Sequence, residues 1–579
     1  MLRDKDIDRD RVISYFSMEI ALESAIPTYS GGLGVLAGDI LRSAADLEIP
    51  IVGITMVYDK GYFHQELSFN GEQMEYGFEW DYSSEFEKVD KIVKVDVNGK
   101  ETKVGAWLYP ITSEIGYTVP VYLLDTNIEG NNDEQKSYTR LLYDATPQQR
   151  FVQELILGVG GVRMLEALGF KDIKIYHMNE GHSAMLTLEL LRKLNGKIDD
   201  VRNQCVFTVH TPVPAGHDRF DYDLIKCILK RDYKDELKEW SGAEEQLNMT
   251  KLALNFSGFV NAVSKKHREV TLDMFPGRKI DSITNGVHVY TWLNPLMREL
   301  YEKYFPALEH NIDQLANATI IDSEELWNTH KNVKGKLLEY EKSHSWLLLD
   351  EHLFTIGFAR RFTGYKRPNL IFHNLDRLGK ICSGKAQIVM AGKTHPKDYA
   401  GKELIKNVFT ASEYLWNKYK VRAVFLENYN MDLAKLIISG VDLWLNNPGR
   451  YMEASGTSGM KAAINAVPNF SVLDGWWIEG YEMSSGKAGW AIGPGPEDPK
   501  AQARTDEEDA NEIYEKLEKE ILPMYYDNRE EWIERMKNAI ILGAYFNTRR
   551  VVSEYATMAW DLQPQKRWKV MDNKVSISY

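Results

Sequence analysis

Short runs of β-branched and aromatic residues alternate along this chain with stretches whose apolar positions recur every three to four residues. That alternation marks parallel α/β layers, and it occurs twice. In the first half, residues 12–18, 49–57, 173–178, 205–210 and 259–263 read as strands, with helical stretches such as 148–168 and 182–194 between several of them. In the second half, strands at 353–359, 386–391, 421–426, 442–446 and 469–473 alternate with helices as regularly. The pattern predicts an α/β protein of two Rossmann-like, doubly wound domains facing each other across a cleft. Ligands in such sheets sit beyond the carboxyl ends of the strands, so the cleft is the expected site. The expected division is 1–285, with an inserted β-rich segment at 60–145, then 286–562, then a tail at 563–579. The boundary falls at Thr284-Asn285-Gly286, ahead of a helix-rich stretch at 292–345.

A chain of 579 residues is too long for one ordinary core. With 44% hydrophobic and 27% charged residues its composition is that of a globular protein. A net charge of −14 argues against nucleic acid as the main partner, because neutralising a phosphate backbone needs a basic face. The cysteines Cys205, Cys227 and Cys382 are few, odd in number and far apart, which favours a reducing compartment over a disulfide framework. The charged start is unlike a signal peptide, and the longest apolar candidate, 155–170, is broken by Arg163 and Glu166. These features predict a cytoplasmic protein with no membrane partner. Its 14 Trp and 31 Tyr suit sugar rings, cores and interfaces alike.

The most informative local feature is Glu453-Ala454-Ser455-Gly456-Thr457-Ser458-Gly459-Met460-Lys461, a turn of small residues opening a helix that carries one lysine. The free N–H groups of a helix start attract phosphate, and glycines allow close backbone approach. Thr457 and Lys461 stand four residues apart on one face, so a ligand could be held by both. In isolation such a stretch is more often a capped helix with a solvated lysine. A second glycine-rich turn, Ser30-Gly31-Gly32-Leu33-Gly34, also opens a helix, with neither the dinucleotide spacing nor the lysine of a nucleotide phosphate loop. After the strand at 353–359 come Arg360, Arg361, Lys366 and Arg367, four cations in eight residues and a natural anion clamp. Asn179-Glu180-Gly181-His182 and His210-Thr211 stand beyond strands of the first half. A metal reading of His177, Glu180, His182, His210 and His217 fails on spacing, so a polar sugar pocket is preferred and no metal is expected.

Eight motifs occur in order: Tyr15-Phe16-Ser17-Met18-Glu19, Gly31-Gly32-Leu33-Gly34, Asn179-Glu180-Gly181-His182, His210-Thr211, Thr284-Asn285-Gly286, Tyr365-Lys366-Arg367, Glu427-Asn428-Tyr429, and the stretch from Glu453 to Lys461. On these the chain resembles the α-glucan phosphorylases, the glycogen and maltodextrin phosphorylase family, in a short bacterial or archaeal form. The matching region runs from Ile13 to about Gly480, with weaker segments at 60–145 and 290–350.

The resemblance implies a GT-B-type glycosyltransferase architecture. It also implies phosphorolysis of the terminal α-1,4 bond of glycogen, starch or maltodextrin, giving α-D-glucose 1-phosphate with retention. The implied cofactor is pyridoxal 5'-phosphate, bound as a Schiff base on Lys461, whose phosphate exchanges a proton with the substrate phosphate. This would account for two anion-binding turns and a cation cluster without the carboxylate pair of a glycosidase. Two like charges at ~4 Å repel by about 4 kcal/mol at an effective dielectric of 20, so two phosphates require several cations.

By position in the motifs, the implied catalytic set is His210, Arg361, Lys366 and Lys461. Arg361 and Lys366 would bind substrate phosphate with the backbone of Gly32 and Leu33. Arg360, Thr457 and Ser458 would serve the cofactor phosphate, and Tyr429 would lie by the cofactor ring. His210, Asn285, Glu453, Ser455 and Gly456 would bind the terminal glucose, the His210 carbonyl also supporting the oxocarbenium-like transition state.

Three positions depart from the larger family members: Arg360 replaces a lysine, Ala21 an aromatic that packs on the cofactor, and Ser458-Gly459 a Gly-Asn pair. Little chain precedes the first strand, so amino-terminal phosphorylation and nucleotide control are expected to be absent. Family analogy favours a homodimer. The competing readings are a nucleotide-sugar-dependent glucan synthase and a non-catalytic glucan-binding protein.

Overall fold

The computed structural model describes residues 3–143, 146–345 and 347–562, so the expected tail at 563–579 lies outside the described residues. The first half is built on nine strands: β1 (Ile13–Ser17), β2 (Ile51–Met56), β3 (Glu87–Val97), β4 (Lys100–Thr112), β5 (Thr118–Asp125), β6 (Ile175–Asn179), β7 (Cys205–Thr208), β8 (Phe259–Ala262) and β9 (Asp281–Ser282). They form one sheet in the order β9-β8-β7-β6-β1-β2-β5-β4-β3. The strands from β9 to β5 run parallel, and β4 and β3 continue the edge antiparallel. The second half holds β10 (Phe354–Ala359), β11 (Ala386–Ala391), β12 (Ala423–Leu426), β13 (Leu443–Asn446), β14 (Asn469–Val472) and β15 (Gly489–Ile492). Their order is β12-β11-β10-β13-β14-β15, all parallel.

Strands β1, β2, β10 and β11 are buried at every position. Helices on both faces of a parallel sheet leave no solvated face, and this is why these runs read as continuously apolar. The antiparallel edge strand β3 differs, burying Val89, Val93, Val95 and Val97 among exposed charged residues. Its register shifts between Val89 and Val93. Residues 60–145 thus supply the edge of the first sheet, together with a separate hairpin of His64–Leu67 and Gln73–Tyr76.

Two expected helices are modified. The stretch at 148–168 is helical throughout but passes through a π turn at Ile156–Gly160. Its glycines explain the local close packing: a Cβ on Gly158 would lie 2.5 Å from the Leu186 nitrogen, and one on Gly161 2.5 Å from the Phe16 ring. The stretch at 182–194 begins as a 3-10 turn, Gly181–Ser183, and becomes α-helical only at Leu186.

Each sheet has a switch point where the chain, having built outward, returns to the other side of its first strand. In the first sheet it lies between β1 and β6, where Asn179 Nδ2 donates to Ser17 Oγ at 3.0 Å. In the second it lies between β10 and β13, where Arg360 Nη1 donates to Asn446 Oδ1. Four helices frame these points: α1 (Gly32–Asp46), α2 (Thr457–Ile464), α3 (Trp476–Met483) and α4 (Thr548–Met558). Helix α4, late in the chain, packs back on the first half. Ser43 and Thr548 share a hydroxyl hydrogen bond of 2.6 Å, and Tyr555 reaches Thr208 at 3.0 Å.

The hairpin at 64–76 crosses in the other direction. Its buried Gln65 and Gln73 donate to the Gly392 and Thr394 carbonyls at 2.8 and 3.0 Å. A cluster containing Ala21, Val35, Trp292, Trp444, Met460 and Trp476 joins the two halves.

Candidate active site

The loop after β13 leads into α2 through Gly456, whose φ of +84° is reached readily only by glycine. With no side chain capping it, α2 leaves the first N–H groups of Thr457 and Ser458 available. Ser458 Oγ accepts from Trp444 Nε1 at 3.3 Å. Lys461 is buried, and its Nζ rests 3.5 Å from the centroid of the Trp292 ring. It has no carboxylate partner in hydrogen-bond range among the described residues. Burial pulls its ammonium down to about 8, against the opposing pull of Asp39 and with Lys435 adding to the drop.

At the β10 end, Arg360 and Lys366 converge on one carboxylate. Lys366 Nζ lies 2.7 and 2.6 Å from the two oxygens of Glu453, and Arg360 Nη1 is 2.9 Å from one of them. Burial alone would raise the Glu453 carboxyl, but the Arg360 and Lys366 charges outweigh it and hold the group at about 2. Tyr429 donates to the Ala359 carbonyl at 3.3 Å and lies in the field of Arg360. Arg361 is exposed and has no hydrogen bond or ion pair among the described residues. Its electrostatic neighbours include Tyr365, Tyr62, Tyr143 and Glu19.

Arg367, the fourth cation of the run, is turned away from this group. It binds Asp509 at 2.9 Å and the Asn447 and Pro448 carbonyls at 2.9 and 2.8 Å. Its φ of +48° is uncommon for a side-chain-bearing residue and is held by these contacts.

From the first half, the glycine turn follows β1. Glu19 accepts from the backbone N–H of Ser30 at 2.6 Å and Gly31 at 3.1 Å, and from Tyr143 at 2.7 Å. Burial lifts its carboxyl above the usual range, against these donors and Arg361. Gly34 is required here, because a Cβ would lie 2.8 Å from Glu19 Oε2. Gly31 and Gly32 instead border open space, with nothing within 4 Å of a built Cβ. Leu33 is half-buried.

His210 follows β7, its Nε2 2.6 Å from Asn179 Oδ1 and its backbone N–H donating to Glu180 at 2.9 Å. Burial, with nearby His267, His177 and His182, keeps the ring neutral at about 3. Asn285 is buried, its backbone held by Val263 and Arg550. Asn285 Oδ1 and Ser455 Oγ are buried with no hydrogen-bond partner among the described residues.

The expected residues fall into linked groups. Arg360, Lys366 and Glu453 are in direct contact, and the loop bearing Ser455 is tied to the first half where Ser264 Oγ donates to the Ala454 carbonyl at 2.7 Å. Thr284, next to Asn285, donates to Glu479 of α3 at 2.8 Å. His177 serves the core, bonded to Thr208 and Trp560. Among the described residues no group of three or more His, Cys, Asp or Glu is arranged to hold a metal ion. No helix among them is long and apolar enough to cross a membrane.

Several supporting residues escaped the sequence reading. Asp474 accepts from the backbone N–H of Glu453 at 2.9 Å and of Gly475 at 2.8 Å. Burial lifts it to about 7, with the neighbouring Glu453 charge adding to the rise. Asp474 lies just beyond the carboxyl end of β14, and that rule, applied to every strand, would have flagged it; Glu19, already named in the first motif, lies likewise beyond β1. Asp509 and Trp292 gave no such signal.

Two parallel sheets with glycine turns, paired cations and a buried lysine placed beyond their strands define an α/β protein of the transferase kind. The chain belongs to the carbohydrate phosphorylase family, whose model matches residues 20–157 and 232–519. A maltodextrin phosphorylase of Thermococcus litoralis is 37% identical, the match covering 94% of this chain and 70% of the relative. A glycogen phosphorylase of Aquifex aeolicus is 36% identical over 94% of this chain and 85% of its own length. An uncharacterized protein of Methanocaldococcus jannaschii is 33% identical and is covered over 98% of its length.

Proposed function

We infer that this chain phosphorolyses α-1,4-glucans, releasing α-D-glucose 1-phosphate from the terminal residue with retained configuration. The two sheets fit the GT-B-type arrangement, with residues 1–285 forming the glucan and phosphate side and 286–562 the cofactor side, except that α4 returns to the first half. The observation that carries the reading is Lys461, buried without a carboxylate partner one turn into a helix whose start is open to an anion.

These residues suit pyridoxal 5'-phosphate. A desolvated lysine is a competent amine for a carbonyl carbon, and the α2 start offers N–H groups and the Thr457 and Ser458 hydroxyls to a phosphate. Tyr429 and Trp292 supply flat apolar surface beside it. When bound, the cofactor supplies its phosphate as proton donor and acceptor for the substrate phosphate.

The chain's own residues then bind and orient. Arg361, unpaired among the described residues, takes the substrate phosphate together with the Gly32 and Leu33 backbone. Lys366, shared with Glu453, adds a second positive charge. Arg360 neutralises the other phosphate. Substrate phosphate protonates the glucosidic oxygen and bonds to the anomeric carbon on the same face, freeing the shortened glucan. Asn285 Oδ1, Ser455 Oγ, Glu453 and the Gly456 backbone hold the sugar hydroxyls. His210, kept neutral, contributes a dipole through its carbonyl; losing such a contact typically costs about 2.7–4 kcal/mol in the barrier.

Cofactor-loaded protein given maltodextrin and inorganic phosphate should release glucose 1-phosphate. Borohydride reduction should fix pyridoxal on Lys461 alone. Loaded protein that yields no product refutes the reading.

A further inference from the structure

Asp39 lies on α1, beyond the glycine turn, and is 1% exposed. Its Oδ2 accepts from Trp292 Nε1 at 2.8 Å, while its Oδ1 is buried with no hydrogen-bond partner among the described residues. Among the described residues one cation comes within ion-pair range: Arg42 Nη1, 4.0 Å from Oδ1. That guanidinium already donates to the Ala21 and Leu22 carbonyls. A buried carboxylate oxygen left idle is costly, and one that persists points to a donor brought by a ligand.

The indole bonded to Asp39 is the same one on whose face Lys461 Nζ rests. Asp39 and Lys461 also feel each other's charge, with Lys435 the opposing cation. Acid and amine are therefore linked through one indole.

A pyridoxal ring whose carbonyl carbon is held by a lysine carries its ring nitrogen on the opposite side of the ring. A ring nitrogen facing an acid is a recurrent way for proteins to tune this cofactor. The cofactor's phosphate is excluded from this position, since a carboxylate would repel it and the α2 start attracts it.

We propose that Asp39 is the cofactor-binding acid of this site, its Oδ1 accepting a hydrogen bond from the protonated ring nitrogen. The proton comes from solvent when the cofactor binds, and no other reactant is needed. The proposal rests on the phosphorylase reading of the site.

The test uses full-length protein loaded with pyridoxal phosphate carrying nitrogen-15 in the ring, observed by solid-state NMR. The wild type should show a protonated ring nitrogen that keeps its proton to higher pH than the free cofactor does. Asp39→Asn should shift the signal to the unprotonated position and weaken cofactor retention about tenfold, the usual scale for losing one charge-assisted hydrogen bond. An unprotonated nitrogen in the wild type, or the same signal in both proteins, overturns the proposal. The wild-type titration needs no variant: loss of the proton at the pH of free cofactor refutes Asp39's role even if Asp39→Asn does not fold. Failure of borohydride to fix pyridoxal on Lys461 would instead overturn the functional reading. A labelled Lys461 with an unprotonated ring overturns Asp39's role alone.

Discussion

Asp509 is fully buried and gathers three guanidinium groups. Arg450 binds both oxygens, at 2.7 and 3.0 Å, Arg504 binds one at 2.8 Å and Arg367 the other at 2.9 Å. Each contact is worth about 4 kcal/mol at ~4 Å between charge centres and an effective dielectric of 20. Three together give about 12 kcal/mol, and mutual repulsion of the guanidiniums at roughly 7 Å removes about 7 of it. In Asp509→Asn the attraction is lost and the repulsion remains. Arg504 and Arg367 retain Glu512 and Asp506, so the net cost should be that of breaking one buried pair, about 3–5 kcal/mol.

The damage should also be directed. Arg367 ties residues 363–367 to 447–449, where Gly449 N–H donates to the Tyr365 carbonyl at 2.7 Å and Asn447 Nδ2 to the Arg367 carbonyl at 2.7 Å. Lys366 sits on the first of these segments and Glu453 follows four residues after the second. Urea unfolding should therefore show the loss in stability, and steady-state kinetics well below the midpoint should show a raised KM for phosphate with KM for glucan little changed. An Asp509→Asn protein with wild-type stability, or with both KM values unchanged, would refute the reasoning.

Three further outcomes are expected. Asp442 is buried between His330 at 2.9 Å and Lys334 at 2.6 Å, and despite burial Lys334 and His330 hold its carboxyl at about 2. Its contribution is complete above the unfolded carboxylate range near pH 4 and fades as pH falls towards 2. Asp442→Asn should flatten the acid limb of a stability-against-pH curve and cost about 3–5 kcal/mol at neutral pH. Gly34→Ala should push Glu19 off the Ser30 and Gly31 N–H groups, cost about 1–3 kcal/mol, and raise KM for phosphate; unchanged kinetics would show that the turn tolerates the methyl. Gly475→Ala places a Cβ 2.4 Å from the Ser455 carbonyl at a φ of +52°, and a thermal melt lowered by several degrees should report about 1–3 kcal/mol of strain.

Five strands of each sheet were legible because parallel strands covered on both faces must be apolar throughout, and that demand is local; the short β9 and the late β15 were not, and β3–β5 were legible only as a β-rich segment. The helix start at Gly456 and the four cations after β10 were legible for the same reason, since turn chemistry and charge are written in consecutive residues. The fate of those cations was not. Arg367 is drawn out of the cation run by Asp509, 142 positions away, while Arg360 and Lys366 meet at Glu453, more than 80 positions away. Nor could periodicity reveal that α4 returns to the first half, or that the hairpin at 64–76 clasps the second.

By itself the sequence determined the α/β class, the two-sheet plan, and the glycine-rich turns that open helices, each a matter of short-range pattern. Tertiary structure alone decided which cations remain free, that Lys461 is desolvated on Trp292, and that Asp39 is left with an idle oxygen beside it. The physical reason is that a charge's partners and its exposure to water depend on distant segments meeting at the carboxyl ends of two sheets. Neighbours in the chain do not set them.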